Sequence, residues 1–453
     1  MFSINIPVYC WILFGLQLII LFLVIFLVLR PLRLIRKLPI FYIPESTPIQ
    51  ETEVSVKETA TPEPSDDSDD SDDSDLSDSS DSSELSESSD FLDNSDSSEL
   101  SDFSDNYYPK VSVVVYSTVN EDILSDFLET VCRQDYPDYE VIVVCDTSFE
   151  ESEIVSEKYA DQFKKVYFTF IPAESHNLSR RKLALTLGIK AAKGEIVLTT
   201  VANAEIPSDQ WISTLVSPFI YNPQIELSLG YSHPDYQEIS SPSRNYKEFF
   251  SLLTDTRWIG YAIMNKTYRG DGFNLAFRRD TFFRVKGYSK TMHLHTGEDD
   301  LFIHEIATPY NTAVSISPEA ILTTRWGEGA KRIFNLRRSQ YDFTARWLPL
   351  GPFVRAGLAS TSQWVMLLLG VATSLLALPN LIPAIASFIV WLAFIICEGQ
   401  IYARAAEKLQ SAALSWQVPL FWLIKPFNNL WFRAAHRSSR FKNFTWQRHK
   451  HTK

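Results

Sequence analysis

Apolar residues gather in this chain into long runs near both ends and short runs in between. Val8–Leu29 is nearly unbroken, with Gln17 as an interior polar residue, and is long enough to cross a bilayer as a helix. It is too long for a signal-peptide core, and no small-residue cleavage site follows it. Toward the other end come Leu358–Leu378 and Leu381–Cys397, joined by Pro379-Asn380. Their spacing reads as a helical hairpin crossing the membrane twice, with a re-entrant pair as the alternative. A further apolar stretch holding Trp416, Trp422 and Trp431 is broken by prolines and reads as interfacial.

The short runs have a different character. Val111–Tyr116 (VSVVVY) and Glu140–Val144 (EVIVV) are β-branched and continuous, as strands covered on both faces are. Asp122–Cys132, between them, has helical spacing. Arg180–Ala192 (RRKLALTLGIKAA) is built of good helix formers, is stopped by Gly194, and leads into a strand over Glu195–Thr200 (EIVLTT). Strand–helix–strand with buried strands predicts an α/β fold with a parallel sheet and right-handed crossovers. There is no GxGxxG and no P-loop. Ligands in such sheets sit beyond the strand carboxyl ends, which draws Tyr116–Asn120, Asp146–Ser148 and Val201–Glu205 around one cleft.

Charge changes the picture in one place. The 453-residue chain carries a formal net charge of −13, yet residues 58–109 hold 19 Asp or Glu and no Lys or Arg, so the remainder stands at +6. The Ser/Asp tract over 58–106 cannot bury enough apolar area to offset the ordering of its backbone, and is expected to be a disordered linker. The mildly basic remainder suits anionic small molecules and membrane surfaces. Arg30, Arg33, Arg36 and Lys37 directly follow the first apolar run, and Arg433, Arg437, Arg440, Lys442, Arg448, Lys450 and Lys453 close the chain. This bias places the part between the spans in the cytoplasm, in a multi-pass protein of the inner cell membrane. Cys10, Cys132, Cys145 and Cys397 show no CxxC or other metal spacing, so no disulfide framework is expected. His293 and His295 lack a third ligand at a recognisable spacing, and no stacking motif for nucleic acid appears.

The resulting organisation is a transmembrane helix (1–30), a juxtamembrane segment (31–57), the acidic linker (58–106), a globular domain (107–349), a transmembrane hairpin (350–400) and a basic interfacial tail (401–453).

Candidate chemistry concentrates in YRGDGFNLAFRR (Tyr268–Arg279) and GEDDLFIHE (Gly297–Glu305). A glycine-rich turn precedes an apolar strand, and the acidic cluster Glu298-Asp299-Asp300 opens a helix. Unpaired N–H groups at a helix start favour ionised carboxylates. Such a carboxylate beside a glycine-shaped turn has what a general base needs to deprotonate a hydroxyl. A solvated acidic cap is the competing reading.

These motifs, in this order, resemble the inverting family 2 glycosyltransferases of GT-A type, a nucleotide-diphospho-sugar transferase fold related to the Rossmann arrangement. The likeness covers 109–345 and is nearest to bacterial membrane-anchored members. PKVSVVVYSTVNED is similar to the opening strand and loop, CRQDYPDYEVIVVCDTS to the second strand, SRRKLALTLGIKAAKGEIVLTT to the helix before a metal-binding turn, and GDGFNLAFRRDTFFRVKGY…GEDDLF to the acceptor turn and acidic motif.

The resemblance implies sugar transfer from a nucleotide-sugar donor to a glycan or lipid-linked acceptor at the membrane, with inversion. It implies donor contacts from Asp146, Arg181, Lys182, Asn203, Arg337 and Arg338. It places Gly270, Asp271, Gly272 and Asn274 on the acceptor side, and Asp299, flanked by Glu298 and Asp300, as the base. The family's Asp-x-Asp turn binds Mn or Mg. Here the matching residues are Val201-Ala202-Asn203, which leaves Asn203 and Glu205 as the ligands on offer. A catalytically inactive scaffold or regulator in a membrane glycan-assembly complex is the alternative.

Overall fold

In the computed structural model, residues 8–35, 41–43, 107–118, 121–146, 149–160, 162–172, 178–378, 381–412 and 416–435 are described. The expectation for the Ser/Asp tract lies outside them. Residues 1–46 and 108–453 belong to one unit.

Two helices, α1 (Val8–Leu23) and α2 (Arg30–Ile35), flank a π-helical turn over Val24–Val28 and precede a two-residue strand, β1 (Phe41–Tyr42). The domain then runs β2 (Val111–Ser117), α3 (Glu121–Val131), β3 (Tyr139–Cys145), α4 (Phe149–Ala160), β4 (Val166–Phe170), α5 (Arg180–Ala191), β5 (Ile196–Val201) and β6 (Ala204–Glu205). It continues with α6 (Trp211–Tyr221), β7 (Leu227–Leu229), β8 (Ser232–Pro234), α7 (Ser241–Ile263), β9 (Leu275–Arg278), α8 (Arg279–Arg284) and α9 (Asp300–Ile306). Last come β10 (Thr312–Ser315), β11 (Leu322–Thr324), α10 (Ala330–Thr344) and three helices, α11 (Leu350–Leu376), α12 (Ile382–Lys408) and α13 (Val418–Ala435).

The main sheet has the order β1-β10-β7-β9-β5-β2-β3-β4. Its β5-β2-β3-β4 half is parallel, as the buried β-branched runs predict. Every residue of β3 and β5 is buried. The other half is mixed: β9 runs antiparallel between β5 and β7. A second sheet, β6-β11-β8, stands beyond the end of β5. The short β7, β8 and β11 have no alternation of their own, and neighbouring strands fix them.

Ser179 caps α5, its hydroxyl accepting from the Lys182 N–H. Gly188 lets α5 lie on the sheet, since a Cβ there would come within 2.4 Å of Val114 Cγ1.

Among the described residues, three helices are long and apolar enough to cross a membrane: Val8–Phe26, Leu350–Leu376 and Ile382–Lys408. Two differ from the sequence expectation. The first apolar run is not one continuous α-helix. Pro31 has no N–H and its ring crowds the carbonyl four residues back, so the chain widens into the π-turn just before it. The Arg33 guanidinium donates to the Phe26 carbonyl within this turn, at 3.2 Å. The second half of the hairpin does not end near Cys397: α12 continues to Lys408 as an amphipathic helix, with Tyr402, Ala405 and Ala406 buried. Gln17 is fully buried and accepts from the Ser387 hydroxyl at 2.7 Å, tying α1 to α12. Inside a membrane such a bond contributes about 0.6 kcal/mol on average.

The described residues of the juxtamembrane segment, 31–35 and 41–43, pack on the domain. Leu32 and Ile35 of α2 are buried in the same core as Phe249, Trp258 and Ile259 of α7. The helices approach so closely that a Cβ on Gly260 would lie 2.5 Å from Pro31 Cβ. Phe41 and Tyr42 pair with Ser315 and Val314 at the sheet edge. Helix α13, expected to lie on the membrane surface, buries Phe421, Trp422 and Lys425 against the rest of the fold.

Candidate active site

The parallel strands end along one line: β2 at Ser117, β3 at Cys145, β5 at Val201. A cleft of about 750 Å³ opens there. Tyr116, Ser117, Thr118 and Val201–Glu205 line it, together with Arg181, Phe273, Arg325 and Trp326. This is the position the strand pattern predicts, with Asp146 set behind the Tyr116 wall residue and not itself on the wall; Val119, Asn120, Thr147 and Ser148 lie outside the described residues.

Asp146 follows directly on β3. The Tyr116 hydroxyl donates to its Oδ2 at 2.5 Å, and Arg180 Nε donates to its Oδ1 at 2.6 Å. Burial and this carboxylate push the tyrosine hydroxyl well above its ordinary value, so it remains a donor.

The three acidic residues divide by environment. Glu298 is 5 % exposed and pairs with Arg181 Nη1 at 3.1 Å. Its burial raises the carboxyl above the usual range, while Arg181 opposes that. Asp300 is 1 % exposed, pairs with Arg269 Nε at 2.8 Å and accepts from the Thr344 hydroxyl at 2.6 Å. Burial pushes it up to about 7 against the pull of Arg269. Asp299 is half-buried, and among the described residues it makes no ion pair. Its carboxylate caps α9 by accepting from the Asp300 N–H at 2.7 Å.

The glycine turn abuts this carboxylate: a Cβ on Gly272 would lie 2.8 Å from Asp299 Cβ. Phe273, next in the chain, forms part of the cleft wall. Two guanidinium groups lie over its ring, Arg181 at 4.3 Å and Arg337 at 4.7 Å from the centroid. Arg181 thus faces the cleft on one side and Glu298 on the other, and Asp299 stands one residue behind the wall.

Several expected site residues face inward instead. Lys182 is fully buried, and its ammonium donates to the carbonyls of Thr291 at 2.7 Å and Thr296 at 2.8 Å. Burial lowers it to about 8. It positions the segment leading to the acidic cluster and lies off the cleft. Arg338 points away, donating to Asn428 and Asn429 of α13 at 2.7 Å each. Asp271 accepts from Ser232 N–H at 2.9 Å, Phe273 N–H at 3.1 Å and Arg337 at 3.3 Å. The Asn274 amide spans the Tyr231 and Ala320 carbonyls and accepts from Trp211. Gly270 is confined by Ile303 and Leu229. These residues shape the turn from within.

A hard divalent cation wants several oxygen ligands. Asn203 donates its amide to the Arg325 carbonyl at 2.7 Å, and the Arg325 N–H returns a bond to the Asn203 carbonyl at 3.0 Å. Glu205 is ion-paired with Arg325 Nη2 at 2.6 Å. No group of three His, Cys, Asp or Glu suited to a metal occurs among the described residues. As arranged, Asn203 and Glu205 do not fit a Mn or Mg site. Sequence reasoning missed Arg325, whose signal is an Arg-Trp pair just past a strand too short to recognise.

Residues 112–284 match the model of glycosyl transferase family 2. This chain carries a family 2 glycosyltransferase domain. A Haloferax volcanii protein, glucosyl-dolichyl phosphate glucuronosyltransferase, is 31% identical over 184 residues, which is 40% of this chain and 56% of that protein. The chain therefore spans little more than half the length of that relative. Among solved structures, a mannosyltransferase of Pyrobaculum calidifontis in complex with GDP-Man and Mn2+ is 19% identical, covering 72% of this chain and 88% of that one at a TM-score of 0.43. TarS of S. aureus in complex with UDP is 16% identical, covering 74% and 92% at 0.35. The residues matched by the family model run from β2 to α8, and the acidic motif follows them.

Proposed function

We propose that the protein transfers a sugar from a nucleotide-diphosphate donor in the cleft to an acceptor hydroxyl, with inversion, using Asp299 as the general base. The observation that carries this is the division of the acidic cluster. Glu298 and Asp300 are held by Arg181 and Arg269, and Asp299 is left half-exposed at a helix start beside the cleft. A base in that position takes the hydroxyl proton as the oxygen attacks the anomeric carbon from the face opposite the leaving diphosphate. Arg181 and Arg325, both on the cleft wall, stand where cations could stabilise charge on that diphosphate. Asp146, with Tyr116 and Arg180, forms a rigid polar group at the strand ends for the nucleoside.

The acceptor is a glycan or lipid-linked glycan at the membrane face of the domain. The three membrane-length helices support this, as does the name of the archaeal relative, a glucosyl-dolichyl phosphate glucuronosyltransferase. The basic flanks favour a cytoplasmic domain in an inner cell membrane. The non-catalytic alternative has less support, because a scaffold would not require a base kept free between two ion-paired neighbours.

Calorimetry of the full chain in detergent against a panel of nucleotide sugars tests the reading, followed by determination of the product's anomeric configuration. Binding of one donor and an inverted product support it. No binding across the panel, or a retained configuration, overturns it.

A further inference from the structure

A second cavity, of about 640 Å³, opens where the domain meets α11 and α13. Five cations line it, Arg257, Arg269, Arg338, Lys425 and Arg433, against one carboxylate, Asp342. Arg269 is committed to Asp300, and Arg338 to Asn428 and Asn429. Among the described residues Arg257 and Arg433 make no ion pair, and Lys425 has only the buried Glu398 of α12, which is not on the cavity wall, within electrostatic reach. Lys425 is only 6% exposed, and its ammonium lies 4.2 Å from the centroid of the Trp422 ring. Burying a cation is costly, and two further cations, Arg257 and Arg338, repel this one, so an anion in the cavity would relieve that cost. Trp364, also on the wall, carries a buried indole N–H without a partner among the described residues. Lys425, Asn429 and Arg433 are four residues apart on α13, so one stripe of that helix faces the cavity.

The position selects the anion. The α11 wall runs from Phe353 to Trp364 and includes Gly357, Ser360 and Thr361. Farther along, Leu368, Val371 and Leu375 are exposed, as a lipid-facing surface requires. The cavity therefore lies at headgroup level on the domain side of the membrane-length helix. Arg269 joins it to the acidic motif, lining the cavity while its Nε pairs with Asp300, the neighbour of Asp299.

We propose that this cavity binds the phosphate or diphosphate headgroup of a membrane lipid and so presents the lipid-linked acceptor toward Asp299. The proposal rests on the transferase reading for the acceptor's role, and on the unpaired cations for the binding itself. Guanidinium forks match phosphate oxygens in pairs, and a buried ammonium adds a point charge.

The test is binding of a polyprenyl monophosphate to the full chain in nanodiscs, beside the uncharged polyprenol and inorganic phosphate. The lipid phosphate should bind at least about tenfold more tightly than either, since it alone supplies both charge and tail. Arg257→Gln, Lys425→Gln and Arg433→Gln should each weaken it about fivefold. Arg433 is exposed, so its variant keeps the test open if Lys425→Gln does not fold. Arg404→Gln, an exposed cation on α12 outside the cavity, should leave the affinity unchanged. Equal weakening by Arg404→Gln and Arg433→Gln would reduce the site to general membrane charge. Inorganic phosphate binding as tightly as the lipid would overturn the lipid assignment. Wild-type donor binding without lipid-phosphate binding defeats this inference alone; lipid-phosphate binding without donor binding defeats the transferase reading and leaves the lipid site.

Discussion

Gly272 and Asp299 are in direct contact: there is no room for a side chain at residue 272 unless the carboxylate's backbone moves. The glycine therefore sets where the base stands, although the two residues are 27 apart in sequence. Gly272→Ala should lower the turnover number about 100-fold, the scale on which a misplacement of about 1 Å costs rate. The donor KM should change little, because Gly272 is not on the cleft wall. Steady-state kinetics check this; a loss confined to KM would show that the contact only shapes binding.

Neighbouring acids should fail in different ways. Asp299→Asn should cost roughly 10²–10⁴-fold in transfer, as loss of a positioned base does, with the melting temperature and donor affinity nearly unchanged. Asp300→Asn leaves Arg269 buried beside a neutral amide and should destabilise the fold by about 3–5 kcal/mol, as other broken buried pairs do. Parallel thermal melts and turnover assays on the two variants separate the roles.

His233 gives a pH signature. It is largely buried 3.7 Å from Glu248, and burial lowers it to about 4. Glu248 is raised by burial to about 7, so near pH 5–6 the contact is between neutral groups rather than ions. A histidine depressed below its unfolded value of 6.5 contributes stability above that pH and loses it as pH falls toward 4. Wild type should lose on the order of 3 kcal/mol more than His233→Gln between pH 7 and pH 4. Denaturant melts at both pH values measure the difference. Parallel pH profiles for the two proteins would refute it.

Arg325 makes a metal prediction. While it holds Glu205, chelators should leave donor binding of the wild type within about twofold, since one amide and an ion-paired carboxylate bind hard cations poorly. Val201→Asp with Asn203→Asp and Arg325→Ala supplies three carboxylates, counting Glu205, and should raise Mn affinity. Calorimetry with Mn2+ on both forms decides it, and a chelator-sensitive wild type would contradict the prediction.

The parallel half of the sheet was legible because Val111–Ser117, Tyr139–Cys145 and Ile196–Val201 carry their burial in their own composition. The length of the α12 helix was not legible, because amphipathic turns past Cys397 lower hydropathy without ending a helix. The acidic cluster was visible as a cluster, but its division was not. That division depends on Arg181, Arg269 and Thr344, which approach from separate elements. For the same reason Lys182 and Arg338 looked like cleft residues: their charge is in the sequence, and their direction is set by the Thr291, Thr296, Asn428 and Asn429 partners.

The clasp of α2 and β1 on the domain has a consequence for how the chain may be cut. Leu32 and Ile35 lie in the domain core and Phe41 and Tyr42 extend its sheet, so residues 1–46 and 108–453 form one unit through contacts in the core and at the sheet edge. Two separately expressed polypeptides, broken between 47 and 107, should therefore find each other and copurify. A protease nick in that interval should not free the catalytic part from α1, because α2 and β1 hold it through the domain core and the sheet edge.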